Sequence, residues 1–254
     1  MTADALLVVS GISRRFGGVQ AVADASLTIS RGESLGLIGP NGAGKSTVLG
    51  MVAGALKPDS GSIRFDGDEI AGLPSHKVGS RGLIRTFQIP SEFPRLTVLQ
   101  NLLVARPGQR GEQLWGLIRG RRAWQEEEEG AITRSRELLT RFRLAELESE
   151  YAGNLSGGQR RLLEVARALM AGPKLLLLDE PTAGVHPKMI GELREQLRSL
   201  RDEGLAMLMI EHQLGIVEEV CQRVAVMARG RVIAVGGLAE VRALPEVKEA
   251  YVAG

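Results

Sequence analysis

The chain has 254 residues, of which 44% are hydrophobic and 24% are charged, and its formal net charge is +2. This size and composition indicate a globular protein of one large or two small domains and exclude a disordered or fibrous chain. The small net charge does not indicate a nucleic-acid partner, and the absence of any uncharged stretch of roughly 18 residues excludes a transmembrane helix.

Short apolar runs separated by glycine turns fill the first part of the chain. Residues 6–9, 25–29 and 35–38 form three such runs, and a second group follows at 62–65 and 83–87. Runs of this length bounded by glycine predict β-strands.

A glycine-rich loop separates the run at 35–38 from a helical stretch that begins near Lys45. The loop consists of Gly39, Pro40, Asn41, Gly42, Ala43, Gly44, Lys45, Ser46 and Thr47. It fits the phosphate-binding template of glycine, any four residues, glycine, lysine, then serine or threonine. The template requires a strand before the loop and a helix after it, so a glycine-rich turn that binds nothing is the disfavoured alternative.

The residue types of this loop suit a nucleoside triphosphate and Mg²⁺. Gly42 and Gly44 allow the backbone to curl around phosphate oxygens, and the following helix N-terminus adds unpaired N–H groups. We expect Lys45 to reach the β- and γ-phosphates and the Ser46 hydroxyl to bind Mg²⁺. Phe16, in the first turn, is either a core residue or an aromatic face that stacks on the base.

The character of the sequence changes after Gln88. This residue precedes a stretch punctuated by prolines, which predicts a hinge into a second, helical subdomain. Apolar spacing predicts helices over 97–105 and 131–147, and we expect the segment between them, 106–130, to be a surface excursion.

The pentapeptide Leu-Ser-Gly-Gly-Gln precedes a predicted helix over 160–170. Its Ser156 and Gln159 have the spacing of a capping box, in which hydroxyl and amide satisfy N–H groups of the first turn. Gly157 and Gly158 expose their own N–H groups there, which makes this helix N-terminus a second candidate anion site. From the residues alone, an ordinary helix cap is the favoured interpretation.

Charged side chains follow two apolar runs farther along the chain. Asp179 and Glu180 follow the run 174–178, and His212 comes soon after the run 205–210. Buried carboxylates need a cation or a proton to act on, so Asp179 fits a Mg²⁺ ligand and Glu180 fits the group that orients or deprotonates an attacking water. Parallel sheets bind ligands at this end of their strands, where the His212 imidazole could donate to a γ-phosphate oxygen. The alternatives are a polar strand terminus and a structural histidine.

The C-terminal part of the chain offers few candidates for chemistry. Runs at 224–227 and 232–235 predict a β-hairpin, and 238–252 predict one closing helix. Cys221 is the only cysteine, which excludes a disulfide or a thiolate metal site.

Several of these features together resemble the ordered motif set of the ATP-binding-cassette (ABC) ATPases. The matching features are Phe16, the loop 39–47, Gln88, the Leu-Ser-Gly-Gly-Gln signature, the strand and carboxylates from Leu175 to Glu180, and His212. The resemblance implies an α/β fold with a P-loop NTPase (RecA-like) core, an antiparallel β subdomain and an inserted α-helical subdomain. A single ABC ATPase domain would span 1–254, with its nucleotide-binding core at 1–88 and 171–254 and its helical signature subdomain at 89–170.

The resemblance also implies the roles of the site residues. Two subunits would stack head to tail, with ATP between Phe16 and the loop 39–47 of one and Ser156, Gly157, Gly158 and Gln159 of the other. Mg²⁺ would be bound by Ser46, Gln88 and Asp179. Glu180 would polarise the water, His212 would sense the γ-phosphate, and Gln88 would link the site to the helical subdomain. His186 departs from the pattern, because the family usually has Asp at that position.

Within the family, the strongest resemblance is to the ATPase subunits of branched-chain amino-acid importers. It is carried by residues 15–18, 85–88, 101–104, 106–130, 210–212 and 247–251. It implies a peripheral protein on the cytoplasmic face of the inner membrane, bound to integral-membrane permease subunits and to a second ABC ATPase in a homodimer or heterodimer. A periplasmic or lipid-anchored solute-binding protein would take part indirectly, and no nucleic acid is implied.

Other functions remain as alternatives to the amino-acid importer. The motor could serve a urea importer or a lipopolysaccharide or lipid exporter, or it could be a soluble ABC ATPase that acts on nucleic acid or ribosomes. A guanine-nucleotide switch would need an Asn-Lys-x-Asp base-reading motif, and the sequence has no such tetrapeptide.

Overall fold

The computed structural model describes residues 4–86, 93–106 and 121–252. The chain forms two units, one from Met1–Gln88, Pro173–Ala183 and Arg194–Gly254 and the other from Ile89–Gly172 and Gly184–Leu193. Within the described ranges, no helix combines the length and the apolarity that crossing a membrane requires.

The described elements are as follows. The strands are β1 (Ala5–Phe16), β2 (Val19–Ser30), β3 (Ser34–Ile38), β4 (Ser60–Phe65), β5 (Asp68–Glu69), β6 (Leu83–Arg85), β7 (Leu175–Asp179), β8 (Ala206–Ile210), β9 (Arg223–Ala228) and β10 (Arg231–Gly236). The helices are α1 (Lys45–Val52), α2 (Ser75–Gly79), α3 (Val98–Val104), α4 (Arg121–Arg141), α5 (Gly157–Met170), α6 (Pro187–Asp202), α7 (Leu214–Val220), α8 (Leu238–Ala243) and α9 (Pro245–Val252).

A six-stranded sheet forms the core of the first unit, in the order β10-β9-β3-β8-β7-β6. Its strands are parallel except for β10, which pairs antiparallel with β9. Every residue of β3, β7 and β8 is buried, as expected for apolar strands covered on both faces. Because β8 lies between β3 and β7, the chain segments that follow these three strands leave the sheet side by side at one edge.

A second, four-stranded sheet of the first unit has the order β2-β1-β4-β5 and antiparallel pairing throughout. Strands β1 and β2 have 12 residues each and are longer than the apolar runs at 6–9 and 25–29 from which they were predicted. The turn Gly17-Gly18 connects them. Together the two sheets and the helical unit confirm the α/β fold with an antiparallel β part and an inserted helical part.

The second unit packs α3, α4 and α5 against one another. Their apolar side chains recur every three or four residues and are buried; examples are Leu102, Leu138, Leu139, Leu162 and Leu163, and Phe142, directly after α4, is buried as well. Asn101 of α3 is also fully buried, and its side-chain amide donates to the carbonyl oxygens of Phe93, Leu96 and Thr97. The start of this helix is therefore fixed by its own preceding loop.

Two predicted helices differ from those in the structure. Residues 121–130, expected within a surface excursion, form the first half of α4. Residues 107–120 of that excursion lie outside the described residues. This helix ends at Arg141 rather than continuing to 147, and Arg143 takes the left-handed conformation typical of a helix end, with φ 57°. The closing helix is two helices, because Leu244 precedes Pro245 and is held in an extended conformation.

Candidate active site

The glycine-rich loop connects β3 to α1 at the edge where the parallel strands end. Gly39, Gly42 and Gly44 have φ values of 144°, 75° and 99°, which side chains rarely permit. A Cβ on Gly39 would lie 2.0 Å from the carbonyl oxygen of Met227, and one on Gly44 would lie 2.4 Å from that of Ala21. Glycine is therefore required at both positions, so that the loop can lie against its own protein core while its other side faces a ligand.

Lys45 is the first residue of α1 and is buried. Its Nζ donates to the carbonyl oxygens of Gly39 and Pro40, at 2.8 and 2.9 Å. Burial lowers the pKa of the ammonium group, and the negative charges of Glu180 and Asp179 partly oppose that shift. Ser46, the next residue, is exposed at the helix N-terminus. The loop thus holds a cation and an open helix end side by side.

Asp179 ends β7 and is completely buried. Its Oδ2 accepts a hydrogen bond of 2.8 Å from Nη2 of Arg85 on β6, whereas its Oδ1 has no hydrogen-bond partner among the described residues. A buried carboxylate oxygen without a partner is costly unless it has a cation to bind, so this oxygen fits a metal ligand. No group of three or more His, Cys, Asp or Glu that could hold a metal ion is found in the described ranges.

Glu180 and His212 meet across the ends of β7 and β8. Glu180 has a positive φ of 49°, and its N–H donates to the carbonyl oxygen of Ile210 at 2.9 Å. Its Oε1 lies 3.0 Å from Nε2 of His212, and 27% and 44% of the two side chains are exposed. Both groups are therefore held together at the sheet edge while remaining reachable by a substrate.

Glu211 is a site residue that the sequence reasoning missed. This buried carboxylate accepts from the Thr182 hydroxyl at 2.8 Å and from the N–H groups of His212 and Gln213 at 3.1 and 3.3 Å. It therefore ties the segment after Glu180 to the segment that carries His212. Its position directly after the apolar strand β8 is a signal that could have identified it. Arg85, the last residue of β6, was also given no role.

The other expected site residues lie elsewhere or outside the described part. Phe16, at the end of β1, is exposed over 44% of its surface. Gln88 falls outside the described residues. Ser156 and Gln159 form the expected capping box of α5: Gln159 N–H donates to the serine hydroxyl, and Ser156 N–H donates to the glutamine amide oxygen. His186 accepts the N–H of Lys188 through Nδ1 at 3.3 Å, so its ring serves the start of α6 as an Asp carboxylate could.

Comparison with known proteins finds relatives over nearly the whole chain. A family model described as ABC transporter matches residues 22–183. The protein named probable branched-chain amino acid transport ATP-binding protein LivG, from Archaeoglobus fulgidus, is 39% identical over 246 residues, which cover 97% of this chain and 95% of that protein. The lipopolysaccharide export system ATP-binding protein LptB of Haemophilus influenzae is 36% identical, with coverage of 97% and 96%.

A solved structure of an ABC transporter cassette is also similar to this chain. The ADP conformation of an ATP-binding cassette of an ABC transporter matches with a TM-score of 0.83 and 34% identity, over 98% of this chain and 99% of that chain. The family model, the relatives and the fold all agree. The chain therefore belongs to the ABC transporter family, whose ATP-binding domains hydrolyse ATP to drive transport.

Proposed function

We propose that this protein is the ATP-hydrolysing subunit of a membrane importer for branched-chain or related amino acids. One observation carries the chemical part: three adjacent strands lead to Lys45, to Asp179 and to the Glu180–His212 pair. Lys45 is hydrogen-bonded to Gly39 directly after the first strand, and Oδ1 of Asp179 has no partner among the described residues. A cation, a metal-binding oxygen and a base next to a hydrogen-bond donor are the groups that phosphoryl transfer to water needs.

Each residue has a definite task in this reaction. Lys45 leaves the Gly39 and Pro40 carbonyl oxygens and donates to the β- and γ-phosphates, while the loop 39–47 surrounds them with N–H groups. Glu180 accepts a hydrogen bond from the attacking water and takes its proton. His212, which donates to Glu180 when Nε2 carries its proton, can redirect that N–H to a γ-phosphate oxygen.

The metal proposed for the site is Mg²⁺, with the Ser46 hydroxyl, the Asp179 carboxylate and the Gln88 amide as its protein ligands. When bound, Mg²⁺ neutralises charge that develops on the phosphate oxygens. Arg85 donates to Oδ2 of Asp179, so Oδ1 would be the oxygen that binds the metal.

A head-to-tail dimer would use both anion-binding helix ends of the chain. The N-terminus of α5, with Ser156, Gly157, Gly158 and Gln159, would bind the ATP that Phe16 and the loop 39–47 hold in the other subunit. The proposed domain has its core at 1–88 and 171–254 and its signature part at 89–170. Closing the dimer on ATP would move the permeases, through Gln88 and the hinge beside it.

The transported solute is proposed from the relatives alone, since this subunit is not expected to contact it. Relatives named as branched-chain amino acid transport proteins are 37–39% identical to this chain, which favours the importer with its solute-binding protein. The lipopolysaccharide export relative at 36% keeps the exporter as the second candidate. In either case the protein would lie on the cytoplasmic face of the inner membrane as a peripheral subunit.

Isolation of the assembly from native membranes tests the transport role. Tagged Glu180→Gln protein is purified from detergent-solubilised membranes with ATP and Mg²⁺, and the co-purifying chains are identified by mass spectrometry. We expect two hydrophobic permeases and, for a heterodimer, a second cassette. A soluble homodimer alone, or one with ribosomes or nucleic acid, would contradict the transport role.

A further inference from the structure

The ring of Phe16 has one face already occupied. Phe16 is the last residue of β1, and the guanidinium carbon of Arg14, two residues earlier on the same strand, lies 5.1 Å from the ring centroid. This distance is within the range of a cation–π interaction. Phe16 is 44% exposed, so part of this residue remains accessible to a ligand.

Asp59 holds Arg14 in this position. The guanidinium Nη1 donates to Asp59 Oδ1 at 2.7 Å and to the Lys57 carbonyl oxygen at 3.1 Å. The second carboxylate oxygen of Asp59 accepts the N–H of Arg15 at 2.8 Å, and the Asp59 N–H donates to the Ser13 carbonyl oxygen, also at 2.8 Å. Four hydrogen bonds thus join the end of β1 to residues 57–59.

The charge state of Asp59 supports the same arrangement. The Arg15 backbone N–H, together with the hydrogen bond and charge of Arg14, lowers the pKa of the Asp59 carboxyl, although limited burial opposes the shift. The carboxylate is therefore ionised over the whole neutral range, where it can hold a guanidinium in place.

Residues 57–59 also lie close in sequence to the phosphate-binding loop, beyond the short helix α1. The loop 39–47 leads into α1, which ends at Val52, and the chain then reaches Asp59 within seven residues. The segment that grips phosphates and the residue that holds Arg14 are therefore parts of one short stretch of chain. This short chain segment, together with the hydrogen bonds of Asp59, can fix the distance between the Phe16 ring and the phosphate-binding loop 39–47.

We infer that Arg14 and Asp59 are positioning residues, which hold the Phe16 ring as a platform for the base of ATP. Arg14 covers one face, the base stacks on the opposite face, and Asp59 fixes the pair relative to the phosphate loop. This inference rests on the proposed binding of ATP by Phe16 and the loop 39–47. We therefore expect Arg14 and Asp59 to strengthen the contact of the protein with the base of ATP and to leave its contacts with the phosphates unchanged.

The test compares the affinity for ATP with that for tripolyphosphate, which has the phosphates and lacks the base. Dissociation constants for both are measured with Mg²⁺ by calorimetry for the full-length chain and its variants. Arg14→Met should weaken ATP binding by about two- to fivefold, the amount expected for a cation–π contact at an exposed site, and should leave tripolyphosphate binding unchanged. Asp59→Asn should act in the same direction, and Arg14→Lys should restore part of the loss.

A matched control is Arg15→Met, because the neighbouring arginine contributes its backbone N–H to Asp59 and removal of its side chain keeps that contact. This variant should bind both ligands as the wild type does. Unchanged tripolyphosphate binding in Arg14→Met also shows that the variant is folded.

Distinct results would overturn the inference and the function on which it rests. The positioning role of Arg14 would be overturned if Arg14→Met weakened the binding of ATP and tripolyphosphate equally, or of neither. In that case the base contact would still hold if Phe16→Ala weakened the binding of ATP alone. Phe16→Ala without effect on ATP would overturn the base contact itself, and the inference with it. Wild-type protein that binds neither ligand would contradict the proposed nucleotide function.

Discussion

Lys45 carries a positive charge in a buried loop, where two carbonyl oxygens replace its water shell. Burial lowers its pKa in the free protein, whereas bound phosphates would favour the charged form and raise it. Between these two pKa values ATP binding takes up a proton, so affinity should fall as the pH rises through the lowered pKa of the free protein, which lies below the usual 10.5.

Proton uptake is measured by calorimetry of ATP binding in two buffers that differ in ionisation enthalpy. We expect part of one proton per ATP for the wild type at alkaline pH and none for Lys45→Arg, whose side chain stays charged. Equal binding enthalpies in the two buffers for the wild type would contradict the assigned contact between Lys45 and the phosphates.

Glu211 is expected to matter for stability as well as for activity. Its Oε1 accepts from Thr182, His212 and Gln213 inside the protein, and the neutral amide of Glu211→Gln would weaken all three bonds. We expect a loss of about 1–3 kcal/mol in the free energy of unfolding, measured by denaturant titration. Thr182→Val, which removes one donor, should cost about 1 kcal/mol. A loss for Glu211→Gln no larger than that for Thr182→Val would show that the carboxylate does not organise this segment.

Two helices of the second unit, α3 and α5, begin with the same N-terminal capping motif. Thr97 caps α3 and Ser156 caps α5, each in a complete capping box with a glutamine three residues later. Thr97→Ala and Ser156→Ala should therefore each lower the free energy of unfolding by about 0.5–2 kcal/mol. They form a matched pair that separates capping from nucleotide contact.

Only the Ser156 variant should also lower ATP turnover, because the proposed site across the dimer uses the start of α5 and not that of α3. The measurement is steady-state hydrolysis beside denaturant unfolding for both variants. Equal turnover of the two variants would leave the start of α5 as an ordinary cap, the interpretation favoured by those residues taken alone.

The elements that sequence could predict are those fixed by local rules. A glycine-rich loop between an apolar run and a helix is typical of a phosphate-binding site. Residues that follow parallel strands, such as Glu180 and His212, come to the same end of the sheet. Helix ends were harder to predict. The unbroken run of helix-forming residues over 121–129 belongs to α4 and not to a surface excursion. The predicted closing helix is divided in two by Pro245.

The parts that sequence could not predict depend on partners far apart in the chain. Arg85 and Asp179 are 94 residues apart, and Arg14 and Asp59 are 45 apart, so no spacing rule relates them. Glu211 is next to His212 in the sequence, but its shortest hydrogen bond is with the hydroxyl of Thr182, 29 residues earlier. These residues hold the predicted site residues in place, and such contacts appear only once the fold is known.

For the whole molecule, the proposed mechanism assigns ATP binding to Lys45 and ATP cleavage to Glu180. These two functions can be separated by substitution, with Lys77→Ala as a control at an exposed lysine away from the loop. Lys45→Ala should lose ATP binding, because a buried cation that faces the phosphates is removed. Lys77→Ala should bind and hydrolyse ATP as the wild type does.

The most direct test is steady-state ATP hydrolysis by purified Glu180→Gln protein, measured beside its ATP affinity. The amide cannot accept the proton of the attacking water, so turnover should fall by about 10²–10⁴-fold while ATP still binds. Hydrolysis by Glu180→Gln at the wild-type rate would contradict the assignment of Glu180, and with it the proposed mechanism.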